Sequence, residues 1–330
     1  CIRKMQIGIE ILPQKKVRVQ GRGLYGLKAP SAALNTGRSG TALRLMLGLL
    51  CGQPFASNVM RNESEMRKPV GDIVSRLKQM GASINGKDDG NFCPLSISPS
   101  NLSGTAFDLS FFDMNIKTPI LLAGLYAQGN TTVSEPIKSR DHTELMLNYF
   151  GADIRADGLN VKIYPVENLY AQHVLVPGDI SMAAYFITAA LLVPNSDILI
   201  KDVGTNPTRT GILDVFKDMG AKIELLNQRR ASNEMIADIH VVNSRLKGIE
   251  IGQNKVPALI DELPVIIVAS AFAEGKTEIN GLKGFKIKET GKIKAISREL
   301  AKMGAKIHEG EDNLIIEGRE TLKGTIVESN

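Results

Sequence analysis

The chain has 330 residues, of which 43% are hydrophobic and 23% are charged, and it contains no tryptophan. This is the composition of an ordinary globular protein, and the length suits two domains. The 40 basic and 35 acidic residues give a net charge of +5, which is too small to indicate nucleic-acid binding but leaves cations for small anionic ligands.

The cysteines and the apolar runs indicate the cell compartment in which the protein is expected. The three cysteines, Cys1, Cys51 and Cys93, have no metal-ligand spacing, and their odd count favours free thiols in a reducing cytoplasm. The longest apolar runs, 183–193 and 263–273, are shorter than the ~20 residues that a membrane span needs. We therefore expect a cytoplasmic protein that binds neither nucleic acid nor membrane and holds no metal.

An internal repeat organises the chain. Helical segments end in near-copies of one phrase, in which a glycine follows the last turn: KMQIGIEI (4–11), LKQMGASI (77–84), LNYFGADI (147–154), FKDMGAKI (216–223) and LAKMGAKI (300–307). Successive glycines lie 69 to 84 residues apart, a period that suits a repeated αβ unit. Each glycine is expected to take the left-handed conformation that ends a helix, and alternating apolar and polar residues after it predict strands.

The turns and the repeat also predict where the chain divides. In VLVPGDI (174–180), a Pro-Gly turn precedes an apolar helix, with Asp179 or Ser181 as its N-cap. We expect two domains, residues 1–176 and 177–330. Because the first phrase begins at residue 4 and no closing helix signal follows the last one, we expect segments of the repeat array to be missing at both ends.

The stretch NTGRSGTALRL (35–45) runs directly into an apolar segment. A helix that begins near Gly40 would point free backbone N–H groups and the positive end of its dipole at a ligand, which predicts an anion site. Gly37 and Gly40 would let that ligand approach the backbone closely. A capped, buried helix without a ligand explains the same residues, and the signature of a P-loop is missing.

The segment NESEMRKPV (62–70) places two cations side by side before a predicted helix. Arg67 and Lys68 suit a carboxylate or a phosphate group. A solvated charged turn is the alternative, and the residue types alone do not separate the two.

In KSRDHTELM (138–146), Asp141 and Glu144 form a predicted capping pair for the helix that follows. Ser139 and Arg140 lie just outside this helix, where a polar ligand could reach them. Capping alone explains most of the pattern.

Acidic residues stand out in two later segments. In ALIDELPVIIVASAFAEG (258–275), Asp261 and Glu262 interrupt an apolar stretch, where a carboxylate is costly unless it is paired and its pKa can rise. An N-cap for the helix near residue 264 is the alternative. In GFKIKETGKIKAI (284–296), three lysines lie close to Glu289 in the sequence and could take part with it in acid–base chemistry: Lys286, Lys288 and Lys292.

Together these segments resemble the enolpyruvyl transferase family, and within it the 5-enolpyruvylshikimate-3-phosphate synthases. The resemblance rests on segments that stand in the family's order along nearly the whole chain: NTGRSGTALR (35–44), KSRDHTE (138–144), VGTNPTRTG (203–211), SRLKG (244–248), LIDELPV (259–265) and KIKET (286–290) followed by IKAI (293–296). A sister enzyme that acts on UDP-N-acetylglucosamine is disfavoured, because the loop at 60–68 lacks its cysteine.

The resemblance implies an α/β fold of two domains, each an inside-out α/β barrel of repeated αβ units, with about five of six units present. It implies transfer of the carboxyvinyl group of phosphoenolpyruvate to the 5-hydroxyl of shikimate 3-phosphate, with release of phosphate. This reaction belongs to the shikimate pathway of aromatic amino acid biosynthesis and needs no cofactor. We expect a cytoplasmic monomer, and the family's outermost substrate-binding segments would lie beyond both ends of this chain.

The resemblance also assigns roles by position. Asp261 matches the aspartate base, and Glu289 matches a glutamate of proton transfer. The matching substrate-binding positions are Gly40, Arg44, Lys68, Asp113, Asn115, Ser139, Lys288 and Lys292.

Several of these positions depart from the family pattern: Arg38 replaces Asn, Lys68 replaces Arg, Asp113 replaces Ser, Asn115 replaces Gln, Gly291 replaces Asp and Lys292 replaces Arg. Lysine keeps the charge of arginine but loses its two-pronged hydrogen bonding, and Asp113 would repel a substrate phosphate. We therefore expect weak activity or none. A non-catalytic fragment or descendant that binds anionic ligands is the alternative of a different class.

Overall fold

A computed structural model describes residues 1–110, 115–282, 287–319 and 321–328, except for the side chains of Pro257 and of 287–290. The chain forms two compact units. The first unit comprises Cys1–Lys138 and Thr143–His173, and the second comprises Ser139–His142 and Val174–Asn330. Each unit has its own core of aliphatic side chains. Among the described residues, no helix is long and apolar enough to cross a membrane.

Helices and strands alternate along the described residues. The α-helices are α1 Gly40–Cys51, α2 Gly71–Gln79, α3 Lys87–Gly90, α4 Lys117–Gly124, α5 His142–Tyr149, α6 Ile180–Leu192, α7 Gly211–Asp218, α8 Leu263–Ser270 and α9 Ile287–Lys302. Short 3-10 helices lie at Ile2–Met5, Glu63–Glu65 and Val256–Ala258. The strands are β1 Ile9–Leu12, β2 Lys16–Val19, β3 Leu34–Asn35, β4 Ser57–Met60, β5 Ser83–Gly86, β6 Phe92–Ser98, β7 Ala106–Asp108, β8 Thr131–Ser134, β9 Ile154–Asp157, β10 Asn160–Ile163, β11 Asp197–Gly204, β12 Lys222–Ala231, β13 Glu234–Val242, β14 Glu250–Ile251, β15 Lys276–Asn280, β16 Lys306–Glu309 and β17 Asn313–Glu317.

The sheets repeat one topology, which confirms the α/β class and the internal repeat. Strand orders β3-β4-β6-β5, β7-β8-β10-β9 and β14-β15-β17-β16 are equivalent. In each sheet the first two strands run parallel and the other pairs run antiparallel. In the sheet β11-β13-β12, a parallel bridge between Gly178 and Val203 takes the place of the first strand. A helix follows the first strand of each repeat and another follows its second strand.

The sequence predicted a left-handed glycine at the helix end of all five phrases, and the structure confirms it for the last four. The φ angles of these glycines lie between 91° and 96°: Gly81, Gly151, Gly220 and Gly304. The N–H group of the following alanine donates to the carbonyl oxygen five residues earlier over 2.8–3.0 Å, which closes a Schellman turn. Because glycine adopts this conformation without strain, each helix passes directly into its hairpin.

The predicted register of the first phrase is wrong by two residues. Gln6, with φ 62°, is the left-handed residue that ends the 3-10 helix Ile2–Met5, and Gly8 directly precedes β1. Met5 is fully buried and Ile7 is 7% exposed, so the burial of these two side chains fixes the turn at Gln6. The prediction placed the turn at Gly8 because the repeated pattern has its glycine there. That local pattern does not show which neighbouring side chains are buried.

A buried lysine ties the second repeat of the first unit together. Lys117, which opens α4, is 2% exposed, and its Nζ lies 3.0 Å from Oε2 of Glu135 and 2.8 Å from Oε1 of Glu144. Glu135 follows β8, and Glu144 lies on α5. The charges therefore join two helices to the end of a strand, a role for Glu144 that the sequence did not predict.

We predict that Lys117→Met lowers the free energy of unfolding by ~3–5 kcal/mol, because both carboxylates stay buried without their cation. Urea unfolding followed by circular dichroism measures this change. Lys78→Met is the matched control, since Lys78 pairs with Asp89, which is 91% exposed. A surface pair of this kind contributes ~0–1 kcal/mol. Equal losses in the two variants would contradict the structural role of Lys117.

We further predict opposite effects for two glycines at α9. Gly291 lies exposed inside the helix, and a Cβ there meets no atom of the described residues within 4 Å, so Gly291→Ala should stabilise the chain by ~0.5–1 kcal/mol. Gly304 has φ 92°, so Gly304→Ala should destabilise it by ~1–2 kcal/mol. Thermal unfolding of both variants checks the signs, and a shift in the same direction would contradict this account.

Candidate functional site

Helix α1 begins at Gly40, where the sequence predicted a helix start. The N-cap is Ser39, whose Oγ accepts a hydrogen bond from the N–H group of Ala42 over 3.1 Å. In the preceding turn, Oδ1 of Asn35 accepts from the N–H group of Gly37 over 2.7 Å, and Gly37 has φ 65°. The body of α1 is buried, while its first residues are at least partly exposed. A buried helix and an accessible N-terminus therefore coexist.

Two guanidinium groups lie over this N-terminus. A Cβ atom on Gly40 would lie 3.1 Å from Nη1 of Arg44 and 4.0 Å from Nη2 of Arg61. Glycine at position 40 therefore leaves room for a cation beside the first helical turn. The cations and the positive end of the helix dipole together favour a bound anion.

The acidic partner in this cluster is Glu65, which the sequence did not single out. Its side chain is 9% exposed, and its two oxygens lie 2.8 Å from Nη2 of Arg61 and 2.6 Å from Nζ of Lys68. Arg61 directly follows β4 and is 5% exposed, whereas Lys68 is 51% exposed. A hydrogen bond from the N–H group of Asn62 to the carbonyl oxygen of Gly37 holds this loop beside the start of α1.

The cations keep Glu65 ionised. The hydrogen bond from Lys68 is the largest influence and lowers the pKa of Glu65, against the opposing effect of burial. The charges of Lys68, Arg61 and Arg38 lower this pKa further. Arg38, one of the residues that depart from the family pattern, is exposed and adds positive charge to the same cluster.

The structure thus brings together three predicted positions, Gly40, Arg44 and Lys68. It places Asn115 exposed in the turn before α4. The predicted Asp113 lies outside the described residues.

The second unit holds a separate cluster at the start of α8. Oδ2 of Asp261 lies 2.5 Å from Nη2 of Arg140, and the Asp261 side chain is 43% exposed. Glu262 is 1% exposed and accepts a hydrogen bond from Oγ of Ser181, while Nη2 of Arg209 lies 3.8 Å from Oε1 of Glu262. Of the two predicted N-cap candidates for α6, Asp179 and Ser181, the N-cap is Asp179, which accepts a hydrogen bond from the N–H group of Ser181 over 3.0 Å.

The pKa values of the two adjacent carboxyls move in opposite directions. Burial is the largest effect on Asp261 and acts to raise its pKa, but the hydrogen bond and charge of Arg140, with Arg209 and Lys292, outweigh it and lower that pKa. Burial raises the pKa of Glu262 despite Ser181 and Arg209. The sequence indicated a raised pKa in this stretch, and the rise falls on Glu262 alone because Glu262 is the buried one.

Two further predicted residues of the second unit, Lys292 and Ser139, are described by the structure. Lys292 is exposed on α9 and contributes to the charge around Asp261. Ser139 is 8% exposed and directly precedes Arg140. The side chains of Lys288 and Glu289 lie outside the described residues.

Sequence reasoning missed Arg61 and Glu65 in the first unit and did not single out Arg209 in the second. Arg61 and Glu65 are four residues apart, and this spacing was the available signal that they form an ion pair. The same spacing is also common in exposed ion pairs. Arg209 lies in the segment 203–211 that resembles the family, yet its contacts with Ser181 and Glu262 join distant parts of the chain.

Comparisons with known proteins agree with one another. The family model of EPSP synthase (3-phosphoshikimate 1-carboxyvinyltransferase) matches residues 1–330. A 3-phosphoshikimate 1-carboxyvinyltransferase from Thermoanaerobacter sp. (strain X514) is 49% identical over 329 residues, which are 100% of this chain and 77% of the relative. The Bacillus subtilis (strain 168) protein of the same name is 45% identical over 324 residues, 98% of this chain and 76% of the relative.

The fold points to the same family. A solved EPSP synthase from Acinetobacter baumannii superimposes with a TM-score of 0.88 at 39% identity, covering 97% of this chain and 72% of that chain. The mixed α/β architecture and the repeated sheets thus have a counterpart of known structure. The chain belongs to the EPSP synthase (3-phosphoshikimate 1-carboxyvinyltransferase) family.

Proposed function

We propose that this chain transfers the carboxyvinyl group of phosphoenolpyruvate to the 5-hydroxyl of shikimate 3-phosphate and releases phosphate. Family membership over the full chain supports the reaction type. The observation that carries the proposal is the half-exposed Asp261, which Arg140 holds in its ionised form. An accessible carboxylate of this kind can take a proton from a substrate hydroxyl.

The proposed reaction has two stages. In the first, Asp261 takes the proton of the 5-hydroxyl, the oxygen bonds to C2 of phosphoenolpyruvate, and the methylene carbon gains a proton. In the second, the bond between C2 and the phosphate oxygen breaks, phosphate leaves, and the methyl group loses a proton as the double bond re-forms. We assign the proton transfers at carbon to Glu289.

The first unit supplies groups that suit anions. We assign Gly40, Arg44 and Lys68 to the carboxylate and phosphate of phosphoenolpyruvate, because cations and a helix N-terminus stabilise negative charge. We assign the remaining substrate-binding roles, mainly for shikimate 3-phosphate, by family position to Asp113, Asn115, Ser139, Lys288 and Lys292.

Slow turnover is part of the proposal. Arg140 lowers the pKa of Asp261 and so makes it a weaker base than an unpaired carboxylate. Lys68 supplies a point charge where arginine would supply two parallel hydrogen bonds, and it is already paired with Glu65. Both features reduce catalysis without removing the site.

The wider setting is also proposed. We assign residues 1–176 and 177–330 to the two family domains and place the protein in the cytoplasm as a monomer. Unpaired cysteines support a reducing compartment: Cys1 is exposed, and Cys51 and Cys93 are buried.

A second candidate function is anion binding without turnover. The pairing of Glu65 with both Arg61 and Lys68 favours it, because Lys68 is then less available to orient a substrate for reaction. Micromolar binding of shikimate 3-phosphate in calorimetry, together with no phosphate release, would select this candidate over the enzyme.

Phosphate release from phosphoenolpyruvate and shikimate 3-phosphate tests the enzyme directly. The proposal predicts release that requires both substrates, at a turnover below the ~1 s⁻¹ that marks the slow end of typical enzymes. Release that does not depend on shikimate 3-phosphate, or no release at high enzyme concentration, would contradict it.

We predict that Asp261→Asn lowers turnover by ~10²–10⁴-fold, because the amide keeps the shape of the side chain but cannot take the proton. The measurement is phosphate release with both substrates present. The matched control is Asp218→Asn, since Asp218 is 51% exposed and pairs with Lys255 at the surface. The control should stay within about twofold of the unaltered chain, and an equal loss in both variants would contradict the role of Asp261.

A further inference from the structure

Glu65 bridges two cations beside the start of α1. Both of its oxygens lie on cations, at 2.8 Å from Nη2 of Arg61 and 2.6 Å from Nζ of Lys68. Its neighbours Glu63 and Arg67 are exposed, so Glu65 alone among these three turns into the cluster. A carboxylate with two oxygens on two cations makes the contacts that a substrate carboxylate or phosphate would make.

The cluster has more cationic capacity than Glu65 uses. Arg61 and Lys68 place two positive charges against the one carboxylate of Glu65, beside the N-terminus of α1. Nε of Arg61 is buried and has no hydrogen-bond partner among the described residues. Among the described residues, Arg61 and Lys68 therefore keep positive charge available for a further anion.

We propose that Glu65 sets the anion affinity of this site, because its carboxylate competes with phosphoenolpyruvate for Lys68. The inference rests on the proposed function for the identity of the ligand and deepens it by naming a residue that limits affinity. Ligand binding requires Glu65 to give up at least one of its two cations.

Lys68 is the cation that exchanges. Its side chain is 51% exposed on a flexible stem, whereas Arg61 is 5% exposed and four residues from Glu65 along the loop. Lys68 can therefore turn to a ligand while the pair of Arg61 and Glu65 stays closed. The apparent affinity then falls by the fraction of molecules in which Lys68 is held by Glu65.

The test compares Glu65→Gln with Glu63→Gln in titration calorimetry, with inorganic phosphate and phosphoenolpyruvate as separate probes. Glutamine keeps the shape of Glu65 and removes its charge, so phosphate should bind ~10-fold more tightly. Glu63 is exposed in the same 3-10 helix, and screening by salt should keep its variant within about twofold. Phosphate should also raise the melting temperature of Glu65→Gln more than that of the unaltered chain.

Unchanged or weaker phosphate binding by Glu65→Gln would overturn the inference, because Glu65 would then position Lys68 rather than compete for it. If Glu65→Gln does not fold, Glu65→Asp decides the question, since it keeps the charge and withdraws the oxygens by one methylene. Tighter phosphate binding by Glu65→Asp supports competition, and unchanged or weaker binding refutes it.

The binding measurements, taken together with the phosphate-release assay, separate this inference from the proposed function. Tighter phosphate binding without turnover would leave the role of Glu65 intact and contradict the enzyme. Turnover with unchanged phosphate affinity in Glu65→Gln would support the enzyme and contradict the role of Glu65.

Discussion

Ion pairs inside each unit hold the candidate sites in place. A site for anionic ligands must gather cations, and a cation removed from water is costly unless a carboxylate of the same unit faces it. In the first unit Glu65 faces Arg61 and Lys68, and in the second unit Asp261 faces Arg140. These carboxylates stabilise the cations before a ligand arrives, and by the same contacts they oppose its binding.

The two units use this pairing differently. Glu65 is buried and its two oxygens are both engaged, so its effect is on affinity. Asp261 is half-exposed and its pKa is lowered, whereas burial raises the pKa of the adjacent Glu262. Opposite pKa shifts on neighbouring carboxyls separate an ionised group that can accept a proton from one that tends to keep its own. Exposure therefore decides which of the two adjacent acids is suited to be the base.

Local signals predicted the repeat, and what was missed depended on burial, which a local sequence pattern does not report. The glycine after each helix is a short-range signal, and Gly81 and its counterparts adopt the expected left-handed conformation. The register of the first phrase failed because the burial of Met5 places the turn at Gln6. The role of Glu65 was hidden because ion pairs at a spacing of four residues are common on exposed surfaces, and only burial distinguishes this one. The sequence predicts that a carboxyl pKa can rise in the stretch 258–275, and it does rise at Glu262. The sequence alone does not indicate that Glu262, rather than Asp261, is the buried carboxyl.

The central claim is that an ionised carboxylate pairs with the cations of each site, and carboxyl-carbon NMR tests it most directly. In a chain labelled with ¹³C at the side-chain carboxyl groups of aspartate and glutamate, the account predicts that Glu65 and Asp261 titrate below the ordinary values of 4.5 and 3.8. It predicts that Glu262 titrates above 4.5. Titration of Glu65 and Asp261 at or above their ordinary values would show that the cations do not hold them, and would contradict the account.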